Sequence, residues 1–194
     1  MKKTNSIKIG FSGTHSTGKT TAARELARRL REDGYSCGVV SGLVRTYVAK
    51  GYVVGREARL ELNLALLSSF IERTLNYHSC DFVIWDRTLA DFWAYARMSP
   101  KVPREWLKLL QIMSRLPMLR PNVLFYVPIE FHLETNGIRP QDFEYRRVAD
   151  DRIREAITRF KWQFMLLSGS RVERRTFVYN CVRSHTISAS NHKK

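Results

Sequence analysis

Apolar residues in this chain alternate between short continuous runs and helical stripes. Four runs bounded by polar residues or glycine predict buried strands at 7–12, 36–41, 81–86 and 122–129. The aromatic and β-branched segment "TFVYN" predicts a fifth strand at 176–180. Between the strands, apolar residues at three- and four-residue spacing predict a helix from the end of the first strand to Gly34, and helices at about 56–78, 88–98 and 104–115. The clearest stripe lies on the helix at 56–78 and comprises Leu60, Leu64, Leu67, Ile71 and Leu75. A second stripe marks a long helix before the fifth strand and comprises Ile153, Ile157, Phe160, Phe164 and Leu167.

Strands that alternate with helices predict an α/β fold, in which a five-stranded parallel sheet is covered by helices on both faces. The chain of 194 residues is long enough for one domain, predicted over residues 1–183, and its polar end, residues 184–194, predicts a disordered tail. Ligands of such sheets bind beyond the carboxyl ends of the strands, so we expect the chemistry at that edge.

The net charge of +15 is unusual for a globular domain and favours polyanionic partners, among which a nucleic acid is one candidate. Cys37, Cys80 and Cys181 show no paired spacing, which favours reduced thiols over a disulfide framework or a zinc site. The sequence shows neither a convincing signal peptide nor a membrane span. We therefore expect a cytoplasmic protein without a membrane partner. The sequence leaves the oligomeric state open, and a homodimer is one of the alternatives.

A glycine-rich segment directly after the first strand carries the strongest motif. Gly13, four further residues, and then Gly18, Lys19 and Thr20 match the Walker A pattern G-x-x-x-x-G-K-[ST]. Such a loop cradles phosphates with backbone N–H groups, its lysine reaches the β- and γ-phosphates, and its hydroxyl binds magnesium. The motif predicts ATP and Mg²⁺ as cofactors, bound by the phosphate-binding loop, which comprises Gly13, Thr14, His15, Ser16, Thr17, Gly18, Lys19, Thr20 and Thr21. Within it, His15 reads as a variable position.

The loop alone does not define the reaction, since GTPases, motors and kinases share it. The D-x-x-G and N-K-x-D segments typical of GTPases are absent, and the third strand ends in one acid rather than the adjacent acids typical of motor ATPases. The segment "VIWDRTLADFWAYAR" continues from that acid into an aromatic, alanine-rich helix.

The loop, the Asp-Arg strand end and the helix after it resemble the small P-loop nucleoside and nucleotide kinases. The resemblance is greatest to ribosylnicotinamide-kinase-like ATPase/kinase domains of the AAA type, and thymidylate kinases are more distant. It covers residues 7–180 and implies a P-loop NTPase fold, an arginine-rich lid at about 130–147, ATP with magnesium as phosphoryl donor, and a small nucleoside or nucleotide acceptor.

The resemblance places Asp86 and Arg87 at the mouth of the acceptor site. A carboxylate there can take a proton from an acceptor hydroxyl or join Thr20 in holding magnesium, and a guanidinium can fork onto a phosphate or sugar oxygen. The alternative is a salt bridge at the end of a strand. With Lys19, these two residues are predicted to be catalytic and Asp86 also to bind metal.

Two further arginines follow from the resemblance. Arg139 matches the lid arginine that covers the phosphates and is predicted to be catalytic, and Arg146 and Arg147 are weaker candidates for the same role. The alternative is a solvated helix face beside Asp150 and Asp151; it is favoured for Arg146, Arg147, Arg152 and Arg154 and stays open for Arg139. Arg45 matches an acceptor-binding arginine, but Gly42 stands where relatives often carry an acid, which slightly favours a monophosphate acceptor. Of the aromatic residues Trp85, Phe92, Trp93 and Tyr95, at least two are expected in the core and the others against a base.

Two other functions fit the same loop. A polynucleotide 5′-hydroxyl kinase would use the basic charge to hold DNA or RNA. A nucleotide-bound ATPase switch would need the loop but neither an acceptor residue nor a lid arginine.

Overall fold

The computed structural model describes residues 6–130 and 143–191. It confirms the predicted α/β fold, with a five-stranded parallel sheet in the order β2-β3-β1-β4-β5. The central strand β1 therefore lies between β3 and β4, so the loops that follow these three strands meet at one edge of the sheet. The strands are β1 Ile7–Ser12, β2 Cys37–Val40, β3 Phe82–Asp86, β4 Val123–Tyr126 and β5 Met165–Leu166.

Seven helices and one 3-10 turn, Gly55–Glu57, connect or follow the strands in the described parts of the chain. The start of α4 is fixed by a capping box, in which Thr88 accepts from the backbone of the first turn and Asp91 accepts from the Thr88 N–H. The helices are α1 Lys19–Glu32, α2 Leu43–Ala49, α3 Leu60–Asn76, α4 Leu89–Arg97, α5 Arg104–Met113, α6 Phe143–Arg159 and α7 Arg171–Asn191. None of those lying within 6–130 and 143–191 combines the length and apolar character needed to cross a bilayer.

The sheet separates two hydrophobic clusters, because successive side chains of a strand point to opposite faces. In β3, Phe82 and Ile84 face one cluster, built with α1 and α7, while Val83 and Trp85 face the other, built with α3 to α6. We call these the α1–α7 cluster and the α3–α6 cluster.

Two sequence predictions near the end of the chain are wrong in position. Residues 176–180 are helical, within α7, because Val178 and Val182 lie one turn apart and both pack into the α1–α7 cluster. The fifth strand is instead the short β5, which pairs with β4, and α6 ends at Arg159 rather than continuing to Leu167. Helix α7 also runs to Asn191, into the predicted disordered tail.

The predicted stripe of α3 is confirmed in part. Leu67 is buried and Leu60 and Ile71 pack against the α3–α6 cluster, whereas Leu64 and Leu75 are 46% and 48% exposed. A second row, Leu62, Leu66 and Phe70, is buried as well. Helix α3 turns this second row toward α4 and the sheet, and two of its members line the pocket described next.

Candidate active site

The phosphate-binding loop leaves the carboxyl end of β1 in a backbone conformation that needs glycine at two positions. Gly13 has φ 151°, and a Cβ atom there would lie 2.3 Å from the Val127 carbonyl oxygen of the neighbouring chain segment. Gly18 has φ 89° and begins α1, and Ser16 between them also has a positive φ of 57°. When residues with positive φ are interspersed with residues of negative φ, successive backbone N–H groups turn to the same side of the loop. These N–H groups then form a concavity that can bind an anion.

Lys19 lies folded against this loop. Its side chain is buried, and its ammonium donates to the Thr14 carbonyl oxygen and, at 3.2 Å, to the Thr17 hydroxyl. The positive charge is thereby held within the loop that is predicted to receive the phosphates.

Thr20 and Asp86 meet at the entrance of α1. The Thr20 hydroxyl donates to Asp86 Oδ2 at 2.6 Å, although the two residues are far apart in sequence. A hydroxyl beside a carboxylate at the end of the neighbouring strand fits Mg²⁺, which binds through one or two protein oxygens, water and phosphate. No group of three or more His, Cys, Asp or Glu residues suited to a metal occurs within the described ranges.

Arg87 follows in a strained backbone conformation, with φ 98°. Its guanidinium lies 5.0 Å from the centre of the Tyr95 ring and 3.8 Å from the Asp91 carboxylate. Burial disfavours the charge, but Tyr95 and Asp91 outweigh this effect and raise the pKa of Arg87 above its ordinary value. The side chain is therefore a fixed cation beside the loop.

Asp91, which the sequence reading did not single out, supports both the loop and Arg87. It is fully buried, and its carboxylate accepts from the N–H groups of Gly13 at 3.3 Å and Thr88 at 2.9 Å. Burial raises the pKa of Asp91, although Arg87 and Lys19 oppose the change. Its place in the capping pattern T-x-x-D was the available sequence signal.

A pocket adjoins the loop on the side of α3 and α4, and together with its opening to solvent it comprises about 690 Å³. Its mostly apolar lining with a few polar groups is typical of small-molecule sites. Tyr95 joins it to the loop, because the Tyr95 hydroxyl accepts from the His15 N–H at 3.2 Å and lies 3.3 Å from the Thr14 hydroxyl. The lining residues are His15, Val44, Val54, Gly55, Ala58, Leu62, Asn63, Leu66, Arg87, Phe92, Tyr95 and Tyr145.

Asn63 places an amide in this mostly apolar lining. Its Nδ2 donates to the Arg59 carbonyl oxygen at 2.9 Å, within the first turn of α3. This bond orients the amide and leaves Oδ1 as the group that can accept a hydrogen bond from a ligand. No sequence pattern indicates this role of Asn63, since an asparagine among the leucines of a helix is typical of an exposed position.

The structure places the other predicted residues as follows. His15, predicted to be a variable position of the loop, is buried and lines the pocket. Thr21 and Arg45 are exposed, and it is Val44 beside Arg45 that lines the pocket. Arg139 lies outside the described residues. Of the four aromatic residues, Trp85 and Trp93 are core, whereas Phe92 and Tyr95 line the pocket.

The arginines of α6 divide into two groups. The surface interpretation agrees with Arg147, Arg152 and Arg154, which pair with acids one turn away on the same helix. It is wrong for Arg146, which is fully buried and donates to the carbonyl oxygens of His15 and Ser16 in the phosphate-binding loop.

Comparison with protein-family models matches residues 8–175 to the AAA domain family. This chain belongs to the AAA domain family. A search of curated proteins finds no match.

Solved structures with this fold confirm the resemblance to P-loop nucleotide kinases. NadR in complex with NAD and AMP-PNP superposes with a TM-score of 0.69 at 17% identity, over 93% of this chain and 49% of that one. NadR in complex with NR superposes with a TM-score of 0.68 at 18% identity, over 92% of this chain and 51% of that one. Thymidylate kinase from Ehrlichia chaffeensis superposes with a TM-score of 0.62 at 17% identity, over 94% of this chain and 99% of that one. The chain thus spans about half the length of the NadR chains and nearly all of the thymidylate kinase, and the likeness concerns the fold.

Proposed function

We propose that this protein transfers the γ-phosphoryl group of ATP to a small nucleoside or nucleoside monophosphate. The observation that carries the proposal is the pocket beside the phosphate-binding loop, with the Arg87 cation in its lining. A switch or motor needs the loop but has no use for a largely apolar pocket next to it.

The residues around the loop would divide the work of the transfer. An acceptor oxygen forms a bond to the γ-phosphorus while the bond to the β,γ-bridging oxygen breaks, which releases ADP. Lys19 would stabilise the charge on the phosphate oxygens, and Thr20 with Asp86 would hold magnesium, which neutralises the charge of the phosphates when bound. Where the acceptor is a hydroxyl, its proton leaves to Asp86; a phosphate acceptor is already deprotonated.

The lining favours a monophosphate acceptor. Arg87 is a fixed cation, and the described residues of the lining include no carboxylate that could accept hydrogen bonds from a sugar. The apolar side chains would hold the flat face of a base, and Asn63 Oδ1 could accept from an N–H group at its edge. Arg45, at the surface beside Val44, remains a second candidate for the phosphate.

The decisive experiment offers the protein, with magnesium and γ-labelled ATP, a panel of nucleosides, nucleoside monophosphates and 5′-hydroxyl oligonucleotides. We expect label in a small acceptor, and faster transfer to a monophosphate than to the matching nucleoside. Label in oligonucleotides alone would refute the proposal in favour of a polynucleotide kinase. ATP binding with no acceptor-stimulated turnover would identify a switch.

A further inference from the structure

Two buried arginines contact the phosphate-binding loop from the side away from its concavity. Arg146, in the first turns of α6, donates from Nε to the His15 carbonyl oxygen at 3.2 Å and from Nη2 to the Ser16 carbonyl oxygen at 2.9 Å. Arg174, near the start of α7, donates from Nη1 to the Thr17 carbonyl oxygen at 2.7 Å. Three consecutive carbonyl groups of the loop are thus bound by side chains that are 0% and 5% exposed.

The geometry of a peptide bond gives these contacts a consequence for the opposite side of the loop. In a trans peptide, the C=O of one residue and the N–H of the next point in opposite directions. Holding the carbonyls of His15, Ser16 and Thr17 outward therefore holds the N–H groups of the three following residues, Ser16, Thr17 and Gly18, inward. These N–H groups belong to the concavity that binds phosphate in a Walker A loop.

Arg174 is itself anchored from two directions. Its Nε donates to the Gly169 carbonyl oxygen at 3.0 Å and its Nη2 to Glu130 Oε2 at 2.7 Å. The same Glu130 oxygen accepts from the Gly169 N–H at 3.0 Å. The segments after β1, β4 and β5 are thereby joined in one hydrogen-bonded network, with Arg174 at its centre.

The start of α7 is fixed as well, which keeps Arg174 in place. Ser170 and Glu173 form a capping pair, in which the Ser170 N–H donates to Glu173 Oε2 at 2.8 Å and the Glu173 N–H donates to the Ser170 hydroxyl at 3.3 Å. Arg174 is the next residue, so its guanidinium extends from a rigid turn.

We propose that Arg146 and Arg174 are positioning residues that preorganise the phosphate-binding loop, by orienting three successive peptide groups from outside. The inference rests on the proposed function only in so far as the loop binds a phosphate chain. Neither arginine needs to touch ATP for this role. Its signature is a loss of affinity for the phosphate chain that leaves the affinity for the nucleoside part unchanged.

The test replaces each arginine by methionine, which keeps the length of the side chain and removes its donors. Calorimetry measures the binding of MgATP, inorganic tripolyphosphate and adenosine, and hydrogen–deuterium exchange follows the peptide that contains residues 13–20. We expect each variant to bind MgATP and tripolyphosphate about tenfold or more weakly, as befits the loss of charge-assisted hydrogen bonds. Adenosine binding should not change, and the loop amides should exchange faster.

The chain offers matched controls in the neighbouring exposed arginines, Arg147→Met and Arg175→Met, which should bind all three probes as the unmodified protein does. Wild-type tripolyphosphate affinity and unchanged exchange in Arg146→Met and Arg174→Met would overturn the inference. If the two methionine variants do not fold, Arg146→Lys and Arg174→Lys replace them in the test, since a single ammonium cannot reproduce all the hydrogen bonds of a guanidinium. Unchanged tripolyphosphate affinity and unchanged exchange in both lysine variants would likewise overturn the inference.

The outcome is separable from that of the proposed function. A protein that binds tripolyphosphate in an arginine-dependent way and phosphorylates no acceptor refutes the kinase and leaves this inference standing. A kinase whose methionine variants bind normally refutes this inference alone.

Discussion

Asp86 is the residue on which the proposed chemistry depends most. It ends β3, is half-buried, and accepts the hydroxyl hydrogen bond of Thr20. Its contacts involve one carboxylate oxygen and one hydroxyl, so an amide of the same shape can replace it without a packing defect. The negative charge can therefore be removed alone.

We expect Asp86→Asn to bind ATP nearly as tightly as the unmodified protein and to lose phosphoryl transfer by about a hundredfold or more. The reason is that, in the proposed reaction, the loop and Lys19 hold the nucleotide, whereas the carboxylate serves the metal and the acceptor. Steady-state transfer rates together with ATP titrations check this. Asp151→Asn, on the exposed face of α6, is the control, and an Asp86→Asn enzyme of normal rate would make the contact purely structural.

Asp150 is a second residue whose ionisation has a measurable effect, here on the free energy of unfolding. It is 7% exposed, it accepts the Tyr126 hydroxyl at 2.5 Å, and its other oxygen, Oδ1, is buried without a hydrogen-bond partner in the described structure. Burial raises the pKa of Asp150, although the Tyr126 hydrogen bond and Arg154 oppose the change. An acid with a raised pKa in the folded state binds its proton more tightly there, so its ionisation lowers the free energy of unfolding as the pH rises.

Asp150→Asn should therefore gain stability relative to the unmodified protein as the pH rises above about 3.9, the ordinary pKa of an aspartate, until the carboxyl of the folded state is ionised. Urea unfolding at a series of pH values above this point measures the difference between the two proteins. A difference that stays constant with rising pH would show that the surroundings do not shift the pKa of Asp150, and one that shrinks would show that the carboxylate is stabilised rather than penalised by them.

Among the elements, α7 shows why a local pattern can predict the wrong structure. The segment at 176–180 is rich in β-formers, yet Arg174, Val178 and Val182 are buried at four-residue spacing. Packing of this face against α1 overrides the local preference. The other four strands follow from their apolar runs, whereas the two residues of β5 are too few to show a pattern.

Proline at position 176 distinguishes the helix from the predicted strand. Thr176 lies inside α7 and its hydroxyl donates to the Val172 carbonyl oxygen, so Thr176→Pro should lower the free energy of unfolding by about 3 kcal/mol or more. Thr176→Ala should change it by less than about 1 kcal/mol, since only an exposed hydrogen bond is lost. Denaturant titration with circular dichroism checks both, and a well-tolerated proline would contradict the helix.

The residues of the candidate site also differ in how well the sequence predicts them. Sequence alone predicts the phosphate-binding loop and Asp86, because a motif is local and a strand end is recognisable. Asp91, Tyr95 and Arg146 act through hydrogen bonds to loop residues far away in sequence, which only the folded chain brings together. A buried arginine and a solvated one have the same pattern within an arginine-rich helix.

The whole molecule carries 33 basic and 18 acidic residues. Several arginines form pairs within one helix, such as Arg28 with Glu32 and Arg159 with Glu155, but the excess of positive charge exceeds what such pairs can neutralise. Self-repulsion of this size disfavours the compact state at low ionic strength.

We therefore expect the melting temperature to rise by a few degrees when sodium chloride increases from about 50 mM to about 500 mM, because the Debye length then falls below the spacing of most surface charges. Calorimetry with chloride as the only varied salt measures the change, and sodium sulfate is avoided because the loop can bind sulfate. A fall in melting temperature would mean that surface ion pairs outweigh the repulsion.

The division of the core by the sheet has a bearing on how this protein could change over evolution. Helix α1 packs into the α1–α7 cluster, while Ala58, Leu62 and Phe92 of the pocket belong to the α3–α6 cluster. Substitutions of these three apolar pocket residues are thus absorbed on one side of the sheet, and the helix that carries Lys19 and Thr20 is packed on the other. For the proposed kinase, a lineage could acquire a new acceptor in small steps through these positions without first losing its hold on the donor.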